Sequence, residues 1–68
     1  MDKWHFLYST QSLSEATIIK GMLEENNVPV MLVNKQSSSY VNFGEIELYV
    51  PQLLKDIARH LIDQGLVN

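Results

Sequence analysis

The chain has 68 residues, no cysteine and a formal charge of −3 at neutral pH. It holds one small domain, which buries only about 60% of its unfolded surface, with no disulfide or Cys/His zinc cluster to reinforce it. Its basic residues, Lys3, Lys20, Lys35, Lys55 and Arg59, are scattered, which argues against nucleic acid and anionic membrane as partners.

No segment approaches the roughly 20 apolar residues that span a bilayer. Met1-Asp2-Lys3-Trp4-His5 lacks the basic region and apolar run of a secretory signal, so a soluble cytoplasmic protein is the default expectation. Small scaffolds without staples lean on oligomerisation, so a self-association surface is expected too.

Trp4-His5-Phe6-Leu7-Tyr8-Ser9 is short and aromatic, the composition of a strand. Trp4, Phe6 and Tyr8 share one side of it and His5 and Leu7 the other; which side is buried stays open. Ser12-Leu13-Ser14-Glu15 reads as a capping box, with the Ser12 hydroxyl accepting from the Glu15 amide and the Glu15 carboxylate reaching back to the Ser12 amide. A helix is predicted from about Leu13 to Glu25, burying Leu13, Ala16, Ile19, Met22 and Leu23, with Ile18 at the margin. Asn26-Asn27 stops it, because Asn tolerates the left-handed conformation just past a helix end.

Val28 to Val33 is a near-continuous apolar run whose Pro29 points to a sheet edge or a strand start. The connection Asn34–Gly44 is polar and serine-rich. It exceeds the usual two to five residues of a hairpin loop, a hint of function. Glu45-Ile46-Glu47-Leu48-Tyr49-Val50 alternates strictly, placing Ile46, Leu48 and Val50 toward a core and Glu45, Glu47 and Tyr49 on the other side. A last helix is predicted from Pro51, a favoured first helical residue, to Gln64, with Leu54, Ile57, Ala58, Leu61 and Ile62 buried and Gly65 as its stop.

The order β-α-β-β-α implies an α+β fold. A right-handed β-α-β unit with the third strand filling its gap gives the sheet order 1-3-2 under two helices on one face. This is a ferredoxin-like two-layer sandwich over residues 1–68, short of its usual fourth strand. The free edge of the first strand is then the natural pairing site for a second copy or a protein partner.

Six residues are candidates for ligand or partner contact: Ser38, Tyr40 and Phe43 in the long connection, and Glu45, Glu47 and Tyr49 on the open sheet face. The plainer readings are a hairpin whose aromatics tuck under the sheet, and a solvated face. His5 joins the carboxylates in a small cluster if it shares their face. Trp4, Phe6, Tyr8 and Tyr49 form an aromatic platform under the opposite parity. Nucleic-acid bases stack on such platforms, but Glu45 and Glu47 repel phosphates, so a protein interface fits the same surface better. No glycine-rich phosphate cradle or readable nucleophile–base pair appears. Catalysis, a metal and a cofactor are therefore not expected.

The run Tyr8-Ser9, Glu15-Ala16, Ile19-Lys20-Gly21-Met22-Leu23-Glu24 and Val28-Pro29-Val30, followed by Glu47-Leu48-Tyr49-Val50-Pro51 and Ala58 to Ile62, resembles a family of small bacterial domains of unknown function. That family is labelled a putative prokaryotic signal-transducing protein, by likeness to the trimeric nitrogen-regulatory PII proteins. The resemblance implies a ferredoxin-like domain in which Asn34–Gly44 takes the place of the PII signalling loop. The sequence thus points to a non-enzymatic regulatory or protein-interaction module that binds a partner through residues 34–44 and the open sheet face. The alternative is a small-ligand sensor with its pocket at a homo-oligomer interface, and an RNA-binding sheet is a distant third.

Overall fold

The computed structural model describes residues 3–36 and 44–66. Strand β1 (Trp4–Thr10), helix α1 (Leu13–Glu25), strands β2 (Met31–Asn34) and β3 (Ile46–Pro51), and helix α2 (Lys55–Leu66) follow in the expected β-α-β-β-α order. The sheet is antiparallel throughout, in the order β1-β3-β2. The most strictly alternating stretch of the sequence is therefore its central strand.

The core lies on one face of that sheet. Leu7, Ile46, Leu48 and Val50 from the strands meet Ala16, Ile19 and Leu23 of α1, Val28, and Ala58 and Ile62 of α2, all buried. Each helix contributes a narrower stripe than its periodicity predicts, because Leu13, Ile18 and Ile57 are exposed. A three-stranded sheet is too narrow to cover the flanks of two helices.

Helix α1 begins on half of the expected capping box. The Ser12 hydroxyl accepts from the Glu15 amide at 3.1 Å, but the Glu15 carboxylate does not return to the Ser12 amide. It accepts instead from the Tyr8 hydroxyl at 3.1 Å and from the Thr10 hydroxyl. Thr10 Oγ1 takes over the missing role, accepting from the Ser12 amide at 3.0 Å. The cap is thus shared between helix and strand and fixes the corner where β1 passes into α1.

The other end of α1 closes as a Schellman motif. Asn27 has φ 65°, the Val28 amide donates to the Leu23 carbonyl at 2.9 Å, and the Asn27 amide donates to the Glu24 carbonyl at 3.1 Å. The Asn26 side chain adds a bond to the Met22 carbonyl at 2.8 Å. Val28 and Leu23, the apolar pair that accompanies such a cap, are both in the core. Asn27→Gly is expected to stabilise the protein by about 0.5 kcal/mol, since glycine removes the Cβ penalty at positive φ but gains entropy when unfolded. Urea denaturation measures this, and a loss of stability would count against the capping assignment.

The apolar run before residue 34 divides its duties. Val28 serves the cap, Pro29 precedes the ladder, and β2 itself is only four residues long. Pro51 is not a first helical residue; it ends β3, opposite Trp4. The Gln52 amide prolongs that pairing by donating to the Lys3 carbonyl at 2.8 Å. One 3-10 turn (Gln52–Leu54) then leads into α2. Gly65 does not stop the last helix but lies within it, where a Cβ would come within 3.0 Å of Met22 Sδ. It serves the close approach of α2 to α1.

Candidate functional site

Directly opposed residues of antiparallel strands share a face, so the register sorts every side chain of the sheet. On the uncovered side, Trp4 lies opposite Pro51 at one end. Phe6, Tyr49 and Met31 form a row across all three strands in the middle. Ser9, Glu47 and Val33 form the next row, toward residues 34–44.

The parity of β1, open in the sequence, is settled by a β-bulge. The register shifts between Phe6 and Tyr8, where Leu7 is the extra residue, and a bulge of this kind switches the facing of the residues beyond it. Trp4 and Phe6 therefore face outward, while Tyr8 moves to the helix side opposite Leu48. The four-aromatic platform shrinks to three. His5 lies opposite the buried Val50, so it sits on the face away from Glu47 and the carboxylate–imidazole cluster does not form. Among the described residues no group of acidic and histidine side chains is placed to hold a metal.

What remains is an apolar surface with a polar end. Trp4 is 44% exposed, Phe6 47% and Met31 37%, a high value for large apolar side chains held side by side on rigid strands. The Phe6 and Tyr49 rings meet edge to face with centroids 5.8 Å apart, a geometry worth about 0.5–1.5 kcal/mol beyond burial. Tyr49 is held in place because its hydroxyl donates to Glu47 Oε1 at 2.7 Å. Lys35 Nζ reaches the same oxygen at 3.3 Å.

That donation from Tyr49 is the main reason the Glu47 carboxyl is held below its usual range; the Lys35 hydrogen bond and charge add to it, against a smaller opposing effect of burial. The Tyr49 phenol is raised in turn, chiefly by its bond to Glu47. A carboxyl depressed in the folded state stabilises above its unfolded pKa, about 4.3, and that contribution is lost as pH falls through the lower folded value. Acid unfolding should therefore be shallower in Glu47→Gln than in the wild type. Denaturant midpoints at neutral pH and near pH 3 give the comparison, and parallel losses in the two proteins would contradict the linkage.

Of the six residues picked from the sequence, Glu47 and Tyr49 stand together on the open face, and Glu45 is exposed just before β3. Ser38, Tyr40 and Phe43 lie outside the described residues. The base of the connection is tied down. The Gln36 amide donates to Asn34 Oδ1 and its side chain to the Gln11 carbonyl, both at 2.8 Å, and the Lys35 amide donates to the Glu45 carbonyl at 3.0 Å. The chain thus leaves the sheet after Asn34 and rejoins it at Glu45, both at its polar end, roughly 20 Å along β1 from Trp4.

Sequence reasoning missed Met31, Pro51 and Lys35. An apolar run read without a pairing partner has no assigned faces; aligning β2 against the alternation of β3 would have placed Met31 beside Tyr49. Beyond Pro51 the apolar surface turns the end of the sheet into a groove lined by Pro29, Leu53 and Leu54, with Lys3 and Lys55 among its polar residues. Leu53 is 90% exposed there.

A family model described as "Putative prokaryotic signal transducing protein" matches residues 4–64, from the first residue of β1 to near the end of α2. The chain belongs to that family. No curated protein and no solved structure matches it. The signal-transducing family's name implies contact with other molecules, and no helix among the described residues of this member is long and apolar enough to cross a membrane.

Proposed function

We propose that this member of the signal-transducing family is a non-enzymatic interaction module that receives a protein partner on the uncovered face of its sheet. The observation that carries the reading is the Phe6–Tyr49–Met31 row beside Trp4. A half-covered antiparallel sheet ordinarily turns polar residues to water, whereas this one is apolar on both sides over half its length. Aromatic and methionine side chains are those enriched at interface cores. The connection that carries Ser38, Tyr40 and Phe43 starts from Gln36 and returns at Gly44, and both of these ends lie beside the polar end of the same face.

The two polar clusters support a non-enzymatic role. Tyr8, Thr10 and Glu15 tie β1 to α1. Tyr49 is a poor nucleophile or base because its phenol ionises late. A small-ligand sensor is the second reading, favoured by the groove at Pro29, Pro51 and Leu53; thermal shifts against a metabolite panel test it.

The main test uses the chain as immobilised bait, comparing the wild type with a Phe6→Gln, Met31→Gln double variant and with residues 38–43 replaced by a short turn. Both Phe6 and Met31 are exposed, so the variants are expected to fold. The reading expects a retained protein that the double variant loses. A partner held equally by wild type and double variant overturns it.

A further inference from the structure

The groove at the end of the sheet brings an apolar lining and two cations to one place. Pro29, Pro51, Leu53 and Leu54 supply the lining. Proline fixes its own backbone angle, so two of the walls are set before anything binds. Leu53 is turned to solvent while its neighbour Leu54 packs against the core. The groove holds about 870 Å³, within the roughly 300–1,000 Å³ of small-molecule sites, which combine a mainly apolar lining with a few placed polar groups.

The backbone of one residue places the cations. The Gln52 amide donates to the Lys3 carbonyl at 2.8 Å, and the Lys55 amide donates to the Gln52 carbonyl. Lys3 and Lys55, distant in sequence, are thereby hung on the same residue, and both line the groove. The Lys55 side chain is 40% exposed, as expected of a lysine whose stem lies on apolar surface while its head stays in water. The one carboxylate of the lining, Asp56, meets the Lys55 ammonium only at 3.9 Å and is itself 95% exposed, a contact worth little. Two lysines against one aspartate leave the groove one charge positive, on a chain of −3 overall.

Resting on the small-ligand reading above, we infer that the groove takes a small organic acid with an apolar body and a single carboxylate, such as a medium-chain acid. The body covers Leu53 and the two prolines, and the carboxylate lies within reach of the Lys3 and Lys55 ammoniums. Charge complementarity decides the class. A cationic ligand is repelled by both lysines, and a neutral one leaves them unused. A phosphate fits less well, because the lining has neither arginine nor glycine, the residues that give forked donors and close backbone approach. Small size sets the strength: an acid of about ten non-hydrogen atoms in an open groove is held with a Kd on the order of 0.1–1 mM.

Titration of the full chain with octanoate and with octanol, followed by amide chemical shifts, tests the inference. Octanoate is expected to bind in that range and to move the amides of Leu53, Leu54 and Lys55, with octanol at least tenfold weaker. A Lys3→Gln, Lys55→Gln variant should lose octanoate affinity at least tenfold with an unchanged circular dichroism spectrum, whereas Lys20→Gln, on α1, should not. Octanol bound as tightly as octanoate, a double variant that binds octanoate like the wild type, or shifts that fall on Phe6, Met31 and Tyr49 instead overturns the inference. If neither probe moves the groove but another compound of the metabolite panel does, the acid is ruled out while the small-ligand reading stands. If nothing in the panel moves it, both fail.

Discussion

Leu48→Ala is expected to lower the unfolding free energy by about 3 kcal/mol, within the roughly 2–5 kcal/mol of a buried leucine truncation. Leu48 is fully buried on the central strand, with Tyr8 and Leu32 beside it on the neighbouring strands. Both helices pack over that face, so no single element can move in to close the cavity. A domain of this length is stabilised by about 3–10 kcal/mol in total, and the thermal midpoint should fall by on the order of 15 °C. Leu53→Ala is the matched control. It removes the same atoms from a side chain already 90% exposed and should change stability by less than about 0.5 kcal/mol. Comparable losses in the two variants, measured by urea denaturation, would mean that the core is misplaced.

Gly44→Ala should cost at least about 2 kcal/mol, a large effect for one methyl group. A Cβ at position 44 would lie 2.0 Å from the Lys35 carbonyl oxygen and 2.6 Å from the Gln36 Cα. Both obstacles are backbone, so no side chain can swing aside. The clash falls where the Lys35 amide bonds to the Glu45 carbonyl, and relief means parting β2 from β3 at the end that carries residues 34–44. Gly44 does not have positive φ; the requirement is space, so D-alanine offers no special rescue. Faster hydrogen exchange at the Lys35 amide reports the parting directly, and a wild-type exchange rate in a stable Gly44→Ala protein would contradict it.

The parts of the fold legible in the sequence are those governed by local chemistry. The alternation of Ile46, Leu48 and Val50 marked the central strand because each faces the same core. The Asn26-Asn27 stop was legible because a left-handed cap depends on the residue that adopts it. The failures involve two segments at once. The Leu7 bulge that turns Tyr8 inward is a property of the β1–β3 pair, and Glu15 abandons the Ser12 amide because Tyr8 and Thr10 compete for it across the corner. The ring of Pro51 suits a helix start, yet pairing with Trp4 keeps it extended.

The candidate site divides along the same line. Glu47 and Tyr49 were found because they share the outward parity of one strand. Their neighbours Phe6 and Met31 depended on strand register, which single-strand periodicity does not encode. The sequence drew attention to the acidic side of that face, and the structure adds an apolar half at the end away from residues 34–44.

Trp4 is the only tryptophan in the chain and stands on the open face, which makes its fluorescence the most direct test of the account. If that face is the interaction surface, saturation with the protein captured on the chain should shift Trp4 emission to the blue and shield it from acrylamide, in step with the bound fraction and after subtraction of the signal seen with a Trp4→Phe chain. Emission and quenching that stay constant while the partner binds would place the contact elsewhere and contradict the account.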